Sequence, residues 1–170
     1  DVHLVSGPVK LDSPYGVKRI SVESAREMQA TVMGLAPHAD VFISVAAVAD
    51  WYVSNASTNK FKKDANQQAP ALEFAPNPDI LAGVAAMDAS VRPYCVGFAA
   101  ETENLLAFAE AKRVRKAVPL LVANLAQVAM DKDDTELLLV HEQGHEQWAP
   151  QSKQEAAQHL VQYIARQLHS

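Results

Sequence analysis

ADVFISVAAVAD, residues 39–50, is the stretch whose reading decides the fold. It is apolar almost from end to end. A strand with one wet face alternates apolar and polar residues, so an unbroken run predicts a parallel strand covered on both faces, and that requires flanking helices. Upstream, SVESAREMQATVMGLAP (21–37) sets Val22, Ala25, Met28, Val32 and Leu35 near helical spacing, and Pro37 closes it. VHLVSGP (2–8) reads as a short central strand ending in turn residues. The order is strand, helix, strand.

Downstream, WYVSNASTNKFKKDANQQAP (51–70) has no sustained apolar period and is expected to be a flexible flap. ALEFAP (71–76) is a brief strand. In NPDILAGVAAM (77–87), Asn77 is placed as a cap, Pro78 at the first turn and Asp79 near the positive helix end. RPYCVGFAAET (92–102) and VPLLVANL (118–125) read as buried strands on either side of an amphipathic helix over 103–117. At the end of the chain, Ser152 and Glu155 form a capping box before Ala156, Leu160, Tyr163, Ile164 and Leu168, which line one helical face. The fold expected is α/β, a three-layer sandwich with a C-terminal hairpin and helix.

With 170 residues, 49% hydrophobic and 21% charged, the chain has the composition of one globular domain, taken as 1–170. A formal charge of -5 gives no global electrostatic case for nucleic acid or an anionic membrane. The lone Cys95 cannot form an internal disulfide, and no apolar run approaches the roughly 20 residues of a membrane span, so a cytoplasmic protein is expected. The chain opens on DVHLVSGP without an initiator Met, which suggests a missing upstream segment.

HEQGH (141–145) spells the H-E-x-x-H pattern of zinc peptidases. Zinc chemistry needs His141 and His145 one helical turn apart, with Glu142 as base for the metal-bound water. The motif follows only a short Leu/Leu/Leu/Val run, and Gly144 within it would weaken a helix while suiting a hairpin. A strand, a turn and a second strand are therefore expected, with both histidines facing solvent and no metal site.

In open α/β sheets, ligands settle beyond the carboxyl ends of the strands. SVAAVAD (44–50), NPDI (77–80) and GFAAET (97–102) fall at such positions, with small residues that admit a nucleotide or simply pack well. Asp50 can orient a base or ribose, help to hold a phosphate-bound metal, or merely cap a turn. Phe98 can stack on a ring or belong to the core, and Asn77 can donate to a ligand or cap a helix. Lys60, Lys62 and Lys63 punctuate the flap. Lys112, Arg113, Arg115 and Lys116 crowd a helix end, where Lys112 and Lys116, four apart, form either a two-point anion clamp or a solvated face.

SGPV, AAVADW, NKFKK, NPDI, GFAAET, AKRVRK and LLVAN, in that order, resemble the phosphopantothenoylcysteine synthetase domain of bacterial coenzyme A biosynthesis, often fused behind a flavin-dependent decarboxylase. The resemblance implies that the sandwich is Rossmann-like, and that it is a homodimeric ligase that joins 4'-phosphopantothenate to L-cysteine through an acyl-cytidylate, with CTP as substrate, Mg²⁺ as its ion, and FMN only in the fused decarboxylase outside this chain. It implies a cytosine pocket at Ala46, Ala47 and Phe98, a nucleotide-site carboxylate at Asp50, and a catalytic, nucleotide-contacting Lys60 in the flap. Nucleotide contacts are further implied at Asn77, Pro78, Asp79, Ile80, Lys112 and Lys116. Two departures stand out. The family's glycine-rich turn and Asn-containing segment do not precede Asp1, so the domain is expected to be N-terminally incomplete. The segment after Asn124 is abbreviated, leaving Asp131, Asp133, Asp134 and Glu136 as a solvated acidic turn. The alternatives are an NAD(P)-binding Rossmann-like reductase, which lacks both G-x-G-x-x-G and a Tyr-x-x-x-Lys pair, and a non-catalytic nucleotide-binding or dimerisation module.

Overall fold

The computed structural model describes residues 1–56, 71–101, 104–125 and 133–169. Two compact units result, Asp1–Val32 with Ala46–Asp79, and Met33–Val45 with Ile80–Ser170.

The first unit is built from two small sheets. β1 (Val2–Ser6) and β2 (Val17–Ser21) pair in parallel from Val2 opposite Val17 to Ser6 opposite Ser21. Parallel neighbours usually need a crossover of a dozen or more residues, and here the connection is shorter. Arg19 holds it in place, donating from Nη1 to the Leu11 carbonyl at 2.6 Å and from Nη2 to Val9 at 3.3 Å. Gly16, at φ 77, supplies the left-handed turn that enters β2. The expected central position of β1 is corrected, because its one partner among the described residues is β2, and Val2 is 59% exposed. β4 (Trp51–Val53) and β5 (Phe74–Pro76) form an antiparallel pair, so the first residues of the expected flap are strand. Asn55 closes the base of that connection, with Nδ2 donating to the Ala71 carbonyl at 2.9 Å and Oδ1 accepting from Glu73 N–H at 3.1 Å.

Helix α1 (Ala25–Leu35) begins behind Ser24, whose hydroxyl accepts from Glu27 N–H at 3.2 Å, while Glu27 Oε2 accepts from Glu23 N–H at 3.0 Å. These bonds satisfy amides that the first turn leaves open. The helix ends in a 3-10 turn, Ala36–His38, that contains Pro37.

The second unit holds a five-stranded sheet in the order β3 (Val41–Ser44), β6 (Tyr94–Glu101), β7 (Leu120–Leu125), β8 (Asp134–His141), β9 (Gly144–Ser152). β3, β6 and β7 are parallel, and β8 and β9 are antiparallel additions. Period-two alternation assigns each strand's side chains to a face. Val96, Leu120, Val122, Leu137 and Leu139 pack with Ala156, Leu160, Tyr163 and Ile164 of α4 (Lys153–Leu168). On the intervening positions lie the buried Cys95, Ala99, Leu121, Ala123, Leu138 and Val140. α2 (Ile80–Ala85) and α3 (Leu105–Lys116) pack against this sheet as well.

The chain thus has the mixed α/β fold read from its sequence, with a multi-stranded sheet, flanking helices and a C-terminal hairpin and helix. The reading of 39–50 as one strand covered on both faces needs correction. Only Val41–Ser44 is strand, β3 lies at an edge of its sheet, and Val45 is 62% exposed.

Candidate ligand site

Residues 46–50 and 77 come together in the first unit through backbone bonding. Val48 N–H donates to the Ala46 carbonyl at 3.1 Å, a tight local turn, and Asn77 N–H donates to the Asp50 carbonyl at 2.7 Å. Asn77 Nδ2 donates to the Ala49 carbonyl at 2.9 Å. Asn77 therefore staples the 46–50 segment to the far end of β5, just before Trp51 pairs with Pro76. This corrects its expected role as a helix cap, since α2 begins only at Ile80. Ala46, Ala47 and the side chain of Asp50 are left exposed beside the staple. Pro78 is half-buried and Asp79 exposed.

The remaining expected contacts belong to the second unit. Ile80 is 7% exposed and belongs to the core, so its side chain is not available to a ligand. Phe98 is half-buried and packs on the core cluster that includes Val96, Leu120 and Leu139. Gly97, which was expected to admit a nucleotide closely, has its space filled from within the protein. A Cβ there would lie 2.7 Å from Leu81 Cδ2 and 2.8 Å from Leu121 Cδ1. Lys112 and Lys116 are half-buried one turn apart on α3, and Arg113, Arg115 and Lys116 occupy its last turn, where cations suit the dipole. Lys60, Lys62, Lys63 and Asp131 lie outside the described residues. Of the acidic turn, Asp133 and Asp134 are exposed, while Glu136 accepts from Gln147 Nε2 across the hairpin.

HEQGH is the tip of the β8–β9 hairpin, with His141 opposite Gly144 and Val140 opposite His145. The two histidines do not share a helical turn, and the peptidase geometry is absent. His145 faces solvent as expected. His141 does not, because it is only 18% exposed, with Nδ1 3.1 Å from Gln143 Oε1 and Nε2 3.8 Å from Glu146 Oε1. Gly144, at φ 139, takes a backbone conformation that other residues rarely adopt.

Sequence reasoning missed the two arginines that line a cleft in the second unit, Arg92 and Arg113. Arg113 was counted only as a helix-end cation. Arg92 gave no signal beyond its place before Pro93.

The fold is that of a mixed α/β domain in which a stapled loop, residues 46–50, presents backbone and the Asp50 carboxylate to solvent. The chain belongs to the DNA/pantothenate metabolism flavoprotein C-terminal domain family, whose model matches residues 1–168 and so runs through both compact units. The coenzyme A biosynthesis bifunctional protein CoaBC of Vibrio cholerae is 39% identical over 171 residues, covering 99% of this chain and 43% of that protein. The protein of the same description from Escherichia coli is 46% identical over 125 residues, covering 73% of this chain and 30% of its own length. The chain spans less than half the length of these curated relatives. A crystal structure of the C-terminal domain of CoaBC superposes with a TM-score of 0.80 at 28% identity, covering 99% of this chain and 74% of that one. Two more distant structures share the fold. The DNA/pantothenate metabolism flavoprotein from Streptococcus pneumoniae has a TM-score of 0.76 at 17% identity, covering 97% of this chain and 80% of that one. A Cab2 mutant in complex with phosphopantothenate-cysteine has a TM-score of 0.67 at 17% identity, covering 88% and 52%.

These matches correct the assignment drawn from the resemblance. The family is described as part of a flavoprotein, and none of the matches just given names a ligase, CTP or magnesium. The synthetase assignment, CTP and Mg²⁺ are withdrawn on that ground, together with the exclusion of flavin from this domain's chemistry. The reading of phosphopantothenate and cysteine as separate substrates of this chain is withdrawn with it; the phosphopantothenate-cysteine complex is that of the Cab2 mutant. The flavin that the family description implies needs a flat apolar slot edged by hydrogen-bonding groups. Among the described residues the stretch at Gly97 and Phe98, in the middle of β6, does not offer one, because Leu81, Leu121 and the core fill that space.

Proposed function

We propose that this chain serves as the C-terminal domain of a bifunctional coenzyme A biosynthesis flavoprotein, and that its own share of that enzyme's work is to hold a phosphopantothenoyl-cysteine ligand. The observation that carries the reading is the family match over residues 1–168, supported by the 28%-identical C-terminal domain structure. The ligand class comes from the phosphopantothenate-cysteine held by Cab2. Such a molecule presents amides, a hydroxyl, a carboxylate and a phosphate. The exposed backbone at Ala46 and Ala47 suits the amides, and the Asp50 carboxylate accepts from a hydroxyl or an amide N–H. Asn77 holds this segment in shape through its bonds to residues 49 and 50. Lys112 and Lys116 are the anion-contact candidates of α3. Among the described residues no helix is long and apolar enough to cross a membrane. We place the reaction in the cytoplasm, where the lone Cys95 stays reduced.

Calorimetric titration with phosphopantothenoylcysteine tests this reading, run both on this chain and on the longer protein that contains it. Saturable binding is expected, and Asp50→Asn is expected to weaken it by about tenfold, the loss of one hydrogen bond to a charged group. No binding by either protein, or unchanged binding by the Asp50→Asn variant, would sink it. Flavin fluorescence titration of the same two proteins locates the flavin, in this chain if it binds alone and elsewhere if only the longer protein retains it.

A further inference from the structure

The second unit carries a cleft of about 510 Å³ at the amino ends of β6 and β7, which uses none of the residues of the candidate ligand site. Pro93 and Pro119 both line it, and neither has an N–H to offer. The strong donors are two guanidinium groups, Arg92 and Arg113. Each is tethered by a single backbone acceptor, Arg92 Nη1 to the Ala85 carbonyl at the end of α2 and Arg113 Nη1 to the Val118 carbonyl beyond the end of α3, both at 3.2 Å. A guanidinium has five N–H donors in a fixed fork, so each tether aims the group while leaving most donors unspent. Among the described residues neither arginine makes an ion pair within 4.0 Å. The charged groups lining the cleft are these two cations and the Glu142 carboxylate, and the Asp88 carboxylate, outside the lining, also acts on Arg92 electrostatically. Ala117 enters the same wall in the left-handed region at φ 52, held there by its N–H on the Val114 carbonyl, so the ends of α3 and β7 are fixed rather than loosely joined.

We infer that this cleft is a second binding site, for a small phosphate-type oxyanion gripped between the two arginine forks. A tetrahedral dianion accepts from both guanidinium groups at once, and charge-assisted bonds of this kind are about twice as strong as neutral ones. Glu142 repels the same ligand, so it tunes affinity downward.

The test is a titration of the isotopically labelled chain with inorganic phosphate at constant ionic strength, read from the amide resonances of Cys95 and Val118 and from the arginine side chains. Saturable shifts are expected at both amides. Arg92→Gln is expected to weaken binding about tenfold or more and Glu142→Gln to tighten it. Because each arginine also bonds a carbonyl at or just beyond a helix end, either Gln variant can loosen the fold, and Arg92→Lys is the decisive variant. It keeps the charge and loses the fork, and an affinity between those of the parent and Arg92→Gln is expected. Shifts that chloride reproduces at equal ionic strength, or phosphate binding unchanged in Arg92→Gln, would overturn the site.

Discussion

At the scale of single residues, the same side chain serves packing and recognition differently from what its type suggests. Gly97 sits in GFAAET, where a small residue reads as room for a ligand, yet the room belongs to Leu81 and Leu121. Leu121 is fully buried and Leu81 nearly so, so neither terminal methyl can swing into solvent to admit a Cβ. Gly97→Ala is therefore expected to destabilise the fold by about 1–3 kcal/mol, the usual range for overpacking. Urea unfolding followed by circular dichroism measures this, and an unchanged midpoint would mean that the space at Gly97 is open. Asn77 shows the reverse case. Its position before Pro78 reads as a cap, but its amide instead reaches back to Ala49, a partner 28 residues away that no local pattern reveals.

At the scale of elements, what was legible is what is local. The C-terminal helix announces itself by Ser152 and Glu155, and the structure has both halves of the box, Glu155 N–H to Ser152 Oγ at 3.2 Å and Ser152 N–H to Glu155 Oε2 at 3.0 Å. Of its expected apolar face, Ala156, Leu160, Tyr163 and Ile164 are buried, while Leu168 in the last turn is 44% exposed. The hairpin at HEQGH was legible for the same reason, since Gly144 supplies a turn conformation that a helix has no use for. β1 was misplaced because a strand's sequence carries its pattern and not its partner. β2 went unread because VKRIS is short and half-polar, and Arg19 finds its acceptors in the preceding loop. The capping box also sets a pH dependence. The Ser152 hydroxyl, and then its backbone N–H, hold the Glu155 carboxyl below its ordinary 4.5. A carboxyl lowered in the folded state contributes stability above its unfolded value and loses it as pH falls through the folded one. Stability should accordingly decline from about pH 4.5 downward, and Glu155→Gln should flatten that part of the profile. Ser152→Ala should cost about 1 kcal/mol at neutral pH. Thermal unfolding across pH 3–7 reads both effects, and an identical acid slope in parent and Glu155→Gln would refute the coupling.

At the scale of the whole molecule, the two compact units differ in what they bury. Val22 and Val32 are the buried apolar side chains of the first unit among the described residues, whereas Leu120, Leu121, Val122, Leu139 and the face of α4 give the second a continuous core. Two-stranded sheets are marginal in water on their own, and the first unit has two of them, β1–β2 and β4–β5. Local opening costs free energy in proportion to what is buried and bonded, so the segment proposed to meet the ligand, residues 46–50 and 77, lies in the unit with the lower barrier to opening. Ligand-contacting loops need that freedom, and a β7 buried at every described position from Leu120 to Ala123 does not have it. Native-state hydrogen exchange should show it directly. The amides of β6, β7 and β8 should exchange only through global unfolding, with protection that falls in step with added denaturant, while those of β1, β2, β4 and β5 should exchange earlier through openings insensitive to low denaturant. Phosphopantothenoylcysteine, if it binds at Asp50, should then slow exchange in the first unit selectively. Equal protection in β2 and β7 without ligand would show that the two units open as one, and the assignment of mobility to the ligand-facing unit would fall.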